Sequence, residues 1–484
     1  MTAIDIGSRL ELMVDDYLIE EMAGAALQLQ HPTPQETVMV FDRPWEGTGC
    51  GYVTVFEDER RYRMYYKAWH LDVQEDGVTG AADGSSLDIC VAESSDGINW
   101  ERPEVGLFEH DGSTANNIVF AGPGSHGFAP FRDQKPDVPE EARYKAVGEG
   151  KTSEGLRVIW AHQSPDGIHW SRMRDEPVMD CCAFDSQNLA FFDETRREYR
   201  AYVRDFTGGE IGKGIRGIKT ATSPDFLQWT EPEWLDYPGA PEEQLYTNQI
   251  YPYYRAPHIF VGLPARYVER GWSPAMRELP DSVNRERRAL TQERYGTALT
   301  DTVLMTSRDG RTFRRWDEAF LRPGIERPGT WAYGDHYMQW QIIETDSALP
   351  GAPTELSLYA VEGYWQGSAC SLRRYSLRLD GFVALSAPLA GGEMVTRPLS
   401  FDGERLLLNY ASSAAGEIRV EVQDASGAAI DGFTLDDCDP LIGDTLERVV
   451  TWRGSEGGLN ALRERPIRLR FVLRDADLFS LRFA

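Results

Sequence analysis

The chain has little of what would make it a membrane, redox or nucleic-acid protein. No stretch of its 484 residues approaches the roughly 20 consecutive apolar residues of a membrane span. Cysteine is scarce, six residues with no C-x-x-C pair, which removes the usual zinc and dithiol readings. Cys181 and Cys182 are adjacent, a spacing poorly suited to a disulfide, so free thiols are expected. Basic residues are outnumbered 77 to 50, and the net charge of −27 argues against a nucleic-acid backbone or an anionic membrane as partner. The start, Met1-Thr2-Ala3-Ile4-Asp5-Ile6, has neither the basic nor the apolar region of a secretion signal, so a cytoplasmic location is expected. No cofactor motif and no metal-ligand cluster stands out, and none is expected.

What is abundant is turn and strand material: 45 glycines, 27 prolines and 11% aromatics. Four strand-like runs end in one pattern, Ser-x-Asp-(Gly)-x-x-aromatic. The copies begin at Ser94, Ser164, Ser223 and Ser307 and close on Trp100, Trp170, Trp229 and Phe313. A recurring unit of this length marks a repeat fold, and the spacing suits a four-stranded blade with a variable loop. Ser and Asp accept backbone N–H groups, and Gly takes the positive φ. Walking back from each turn gives the same order of strands, with leading runs at 51–56, 128–131, 188–192 and 249–253 and a degenerate fifth at 337–343. The chain is therefore expected to be all-β, with a five-bladed β-propeller over residues 1–387. Residues 10–14 are expected to close the ring. The runs at 406–410, 418–422 and 467–473 predict a β-sandwich over 388–484. Residues 70–86, acidic and Gly-rich, read as a mobile loop, and the arginine-rich 273–295 as a helical insert.

In a propeller the first strand of every blade runs beside the axis, so the residues opening those strands meet in one funnel. They include Trp45 and Glu46, His126, Asp185 and Asn188, Asn248, and Trp331, Asp335 and His336. Three carboxylates suit acid–base work, the amides suit hydroxyl groups, and the tryptophan faces suit sugar rings. Arg204, Arg255, His258 and Arg266 are candidate contacts to an anion.

At these residues the chain resembles the five-bladed propeller glycoside hydrolases, the invertase and levanase type (family 32) and the arabinanase type (family 43), as a distant, separate family. There the third blade opens with Glu-Cys-Pro-Asp-Leu-Phe, its Glu the general acid; the matching stretch here is Asp185-Ser186-Gln187-Asn188-Leu189-Ala190-Phe191. The family's Asn-Asp-Pro-Asn-Gly on blade one is replaced by Glu46-Gly47-Thr48-Gly49-Cys50, and its Arg-Asp-Pro on blade two by His126-Gly127. The resemblance implies a glycoside hydrolase cleaving a terminal sugar, such as a fructofuranoside or arabinofuranoside, from an oligo- or polysaccharide. Asp185 would be the acid, Glu46 its partner and Asp335 a charge stabiliser. Trp45, His126, Asn188, Arg204, Asn248, Arg255, Arg266, Trp331 and His336 would contact substrate. Two alternatives stay open: a propeller phosphorylase, with Arg204, Arg255, His258 and Arg266 clamping phosphate, and a non-catalytic carbohydrate-binding propeller.

Overall fold

Each Ser-x-Asp turn is closed by bonds that its own residues supply. Ser94 Oγ accepts from the Gly97 amide at 2.9 Å, Asp96 Oδ1 accepts from the Ile98 and Asn99 amides at 2.8 and 2.7 Å, and Trp100 Nε1 donates to the Gly97 carbonyl at 3.1 Å. The copy at Ser164 repeats the set. The third copy carries Phe226 where the others have glycine, and the backbone is left-handed there all the same, φ 70°. Its ring is fully buried, so packing offsets the strain that a side chain meets at this φ.

The computed structural model describes residues 3–79, 87–367, 369–453, 458–463 and 465–484. Five antiparallel sheets follow one another along the chain. Their inner strands are Gly51–Asp58, His126–Arg132, Leu189–Asp193, Tyr251–Tyr253 and Ile343–Thr345. The first three are buried over nearly their whole length, and so read as largely apolar runs rather than as alternating ones. The ring closes where Thr54 of the first blade bridges Trp340, just ahead of the fifth blade's inner strand. This is a five-bladed propeller.

The closing strand is not the one expected at 10–14. Glu11–Leu12 pairs with Leu481 and Ser480, whereas Thr33–Val40 pairs with Ser371–Leu377 as the outermost strand of the fifth blade. The tie between chain start and last blade is thus made some 20 residues later. Strands Ile4–Gly7, Glu11–Leu12, Ile19–Ala23 and Ala26–Leu29 instead join a ten-stranded sheet with strands that follow residue 382. Two long strands, Leu406–Asp424 and Ile467–Phe483, run through this sheet. It surrounds its own apolar cluster, with Leu408, Val420, Leu469 and Phe471 all fully buried.

The insert is helical as expected, in three short segments, Pro274–Glu278, Ser282–Thr291 and Glu293–Thr297. Ser273 caps the first by accepting from the Met276 amide. Of the expected loop at 70–86, residues 72–79 form a hairpin tied to the insert by the Val78 amide, which donates to Thr291 Oγ1 at 2.7 Å. Residues 80–86 lie outside the described residues. All six cysteines are free thiols, and no described helix is long and apolar enough to cross a membrane.

The axis is plugged partway down. Gln249 Nε2 donates to Gln187 Oε1 at 2.6 Å, and Gln187 Nε2 donates to the Tyr52 carbonyl and Thr54 Oγ1. Beneath them the fully buried Trp340 packs against Phe131, Phe191 and Tyr251. Burying an indole of this kind is worth about 2–3 kcal/mol. The plug separates an entry mouth, where the inner strands begin, from an exit mouth, where they end.

Candidate active site

The entry mouth is built where the second and third blades touch. Gly127 has φ +62°, and a Cβ there would stand 2.4 Å from the Ser186 carbonyl oxygen. Only glycine permits this approach, and it brings His126 beside Asp185. His126 Nε2 lies 3.6 Å from Asp185 Oδ1, and its Nδ1 lies 2.7 Å from Glu149 Oε2. Arg204 Nη2 lies 3.9 Å from Asp185 Oδ2. Asn188 holds that arginine's strand in place by accepting from the Arg204 amide at 3.0 Å, and Arg204 Nε donates to the Ala183 carbonyl.

Asp185 is one-third exposed, while Arg204, Glu149 and Lys67 beside it are buried. Burial pushes its carboxyl up, but the positive charges of Arg204, His126, Arg157 and Lys67 outweigh that and hold it down at about 2. Glu149 is lowered as well; burial again pushes upward, and His126 and Arg157 prevail. Lys67, fully buried, has its ammonium 4.2 and 4.4 Å from the Tyr52 and Trp69 ring centroids. Burial lowers it to about 8, against the upward pull of Cys50, Asp185, Cys370 and Glu149. Tyr246 completes the wall, its hydroxyl 3.1 Å from that of Tyr52.

Of the residues expected at this mouth, the structure gathers Asp185, His126 and Arg204, with Asn188 bracing them. The others are engaged with other partners. Glu46 is fully buried, accepting from Tyr66 Oη at 2.5 Å and Arg102 Nε at 2.8 Å, with Oε2 bound to the Arg43 amide. Trp45 donates to Asn117 Oδ1. Asn248 bonds to the Gln187 and Tyr202 carbonyls. Arg255 pairs with Asp380, Arg266 with Asp301 and Glu243, and His258 with Glu11, so these three do not converge with Arg204. Asp335 is buried, accepting from the Ala332 and Gly363 amides. His336 is buried too, its imidazole pushed down to about 4 by burial. Trp331 Nε1 donates to the Gly324 carbonyl.

Lys67, Glu149 and Arg157 were not among the expected residues. Lys67 and Glu149 reach the mouth because a blade's second strand runs antiparallel to its first: Lys67 lies opposite Gly51, and Glu149 opposite His126. Arg157 begins the third strand of blade two, opposite Lys151 at the end of the second. The available signal was a charged residue late in an aromatic or apolar run, as in Tyr65-Tyr66-Lys67-Ala68-Trp69.

A cavity of about 500 Å³ opens at the exit mouth, beyond the plug, among Phe56, Tyr62, Tyr251, Tyr254, Gln341 and Glu344. No basic side chain lines it, and Asp185 is not among its lining residues. The ionised carboxylate and imidazole make the entry mouth the better candidate for chemistry.

A scan against protein-family models finds no match, and neither does a search of curated proteins. Among solved structures, the chain is similar to a Bombyx mori GH32 beta-fructofuranosidase at 9% identity, covering 93% of this chain and 94% of that one, TM-score 0.42. A thermostable family-43 glycoside hydrolase matches at 12% identity over 70% of this chain and 92% of its own, TM-score 0.40. An N-acetylgalactosamine deacetylase from F. plautii matches at 13% identity, over 73% and 96%, TM-score 0.42.

Proposed function

We propose that the chain is a glycoside hydrolase whose reacting carboxylate is Asp185, acting on a terminal sugar that enters where the inner strands begin. One observation carries this reading: a solvent-reachable carboxylate, held ionised by Arg204, has an imidazole 3.6 Å away in an aromatic-walled axial mouth. A carboxyl held near 2 has no proton to give at neutral pH, so Asp185 is the nucleophile or base rather than the acid. It attacks the anomeric carbon, or takes a proton from the water that does so. The bond to the leaving group breaks and the leaving oxygen takes its proton from solvent, while His126, between Asp185 and Glu149, positions the reacting carboxylate. The resemblance at Asp185-Ser186-Gln187-Asn188 suggests a furanose ring, as in a fructofuranoside or arabinofuranoside, and leaves its substituents open.

A non-catalytic carbohydrate-binding propeller is the second reading. It is favoured by the burial of Glu46 and Asp335, which leaves Asp185 without a reachable carboxylate partner among the three expected. The deciding experiment is a screen of aryl-glycofuranosides and oligosaccharides, with and without phosphate, against wild type and Asp185→Asn. Hydrolysis by the wild type, reduced about 100- to 10,000-fold in the variant, is expected. Equal turnover by both proteins removes Asp185 from the mechanism. Absence of turnover on any sugar favours the binding module, and a strict phosphate requirement favours a phosphorylase.

A further inference from the structure

Cations at the entry mouth outnumber the acids they face. Around Asp185 and Glu149 stand Lys67, Arg157 and Arg204, with His126 between the two carboxylates. Arg216, with Glu269 3.9 Å away, lies further along the same wall, 5.9 Å from the Tyr246 ring centroid. This local excess of positive charge occurs in a chain of net charge −27.

Two of these cations are short of acceptors. Lys67 is 1% exposed, and its ammonium meets two ring faces; among the described residues no hydrogen-bond acceptor reaches it. Arg204 Nη2 is buried without a hydrogen-bond partner, its nearest anion being Asp185 at 3.9 Å. Buried donors are nearly always paired, because leaving one unpaired forfeits its hydration. Arg204 Nη2 is such a donor, and Lys67, which makes no ion pair among the described residues, adds a second cation beside a single reachable carboxylate.

We propose that the sugar bound at this mouth carries an anionic substituent, a carboxylate or a sulfate, which Lys67 and the Nη2 edge of Arg204 hold while Asp185 faces the sugar ring. The assignment of Asp185 to the reaction rests on the hydrolase reading; the binding of an acidic sugar does not. The negative charge of the whole chain does not oppose this, because salt at physiological strength screens fields beyond about 8 Å. Contact cations therefore decide the local preference.

The test is calorimetric titration of the wild type with a methyl glucuronide, galacturonic acid and a sulfated monosaccharide, each beside its neutral counterpart, and with inorganic phosphate. One acidic sugar is expected to bind about tenfold or more tighter than its neutral partner, and which one wins identifies the substituent. The preference should shrink as salt is raised and vanish in Lys67→Gln. If that variant does not fold, the wild-type panel and its salt dependence decide alone. Equal binding of acidic and neutral sugars overturns the proposal, as does binding of phosphate with no acidic-sugar preference. Hydrolysis of neutral glycosides without that preference would sink this proposal and leave the hydrolase. Tight binding of an acidic sugar that no assay turns over would do the reverse.

Discussion

Tyr65 in the second strand of blade one donates its hydroxyl to the Gly167 carbonyl, 2.9 Å away in the turn of blade two. Tyr202 of blade three does the same to Gly310 of blade four at 2.8 Å, and Tyr359 of blade five bonds the Gly97 carbonyl of blade one. The repeated turn is therefore a clasp between neighbouring blades as well as a closure of its own. Tyr65→Phe removes one clasp while the Gly167 carbonyl keeps the Trp170 indole as donor. A loss of about 1 kcal/mol in urea unfolding is expected, with sugar turnover unchanged. A loss within error would show that the clasp is incidental.

Glu46 is expected to matter for stability and not for chemistry. Its two oxygens are occupied by Tyr66, Arg102 and the Arg43 amide. Glu46→Gln leaves the mostly buried Arg102 without its counter-charge, at a cost of about 3 kcal/mol. The folded fraction should retain its activity per molecule. A stable variant that has lost turnover would return Glu46 to the catalytic set.

How much was legible in the sequence follows from how local each contact is. Every clasp turn is made by seven consecutive residues, so blade number and phase could be counted directly. His126 and Asp185 were also legible, since His126 opens its inner strand and Asp185 lies just ahead of another. Lys67 and Glu149 were hidden because their place depends on cross-strand register, which a linear reading of each strand's beginning does not use. Glu46 misled for a related reason. It opens an inner strand as expected, but Arg102, 56 residues further along, draws it into the blade. The closing strand was missed because the partners of both candidate segments lie more than 300 residues away in the sequence.

Asp335 makes stability fall with rising pH. Burial raises its carboxyl from 3.8 to about 7, against the opposing effect of the Ala332 amide and Arg288. The folded protein thus keeps a proton that the unfolded chain releases. That contribution is complete below pH 3.8 and is lost as the pH rises through about 7. Urea unfolding across this window should show the decline in wild type, and a flatter curve in Asp335→Asn, which has no carboxyl to ionise. Parallel curves for the two proteins would mean that Asp335 is ionised throughout.

The Gly127→Ala variant tests the contact between blades two and three. The added Cβ would meet the Ser186 carbonyl at 2.4 Å in a left-handed backbone, so one of the two loops must shift. Separation of His126 from Asp185 is the expected result, with kcat reduced more than stability. Equal loss of both would make Gly127 a folding residue alone.

Arg204 supplies the last prediction, because it acts on the reaction through Asp185. Its charge is the largest of those opposing the burial that would raise the Asp185 carboxyl above about 2. If ionised Asp185 is the reacting form, activity persists well into acid, until the carboxylate takes up a proton. Removing the positive charge in Arg204→Met lets the Asp185 carboxyl rise toward its ordinary range. The acid limb of kcat/KM against pH should then move upward by about one to two pH units. A purely structural role would lower the whole profile without displacing that limb. An unmoved limb in a folded variant would therefore separate Arg204 from the ionisation of Asp185.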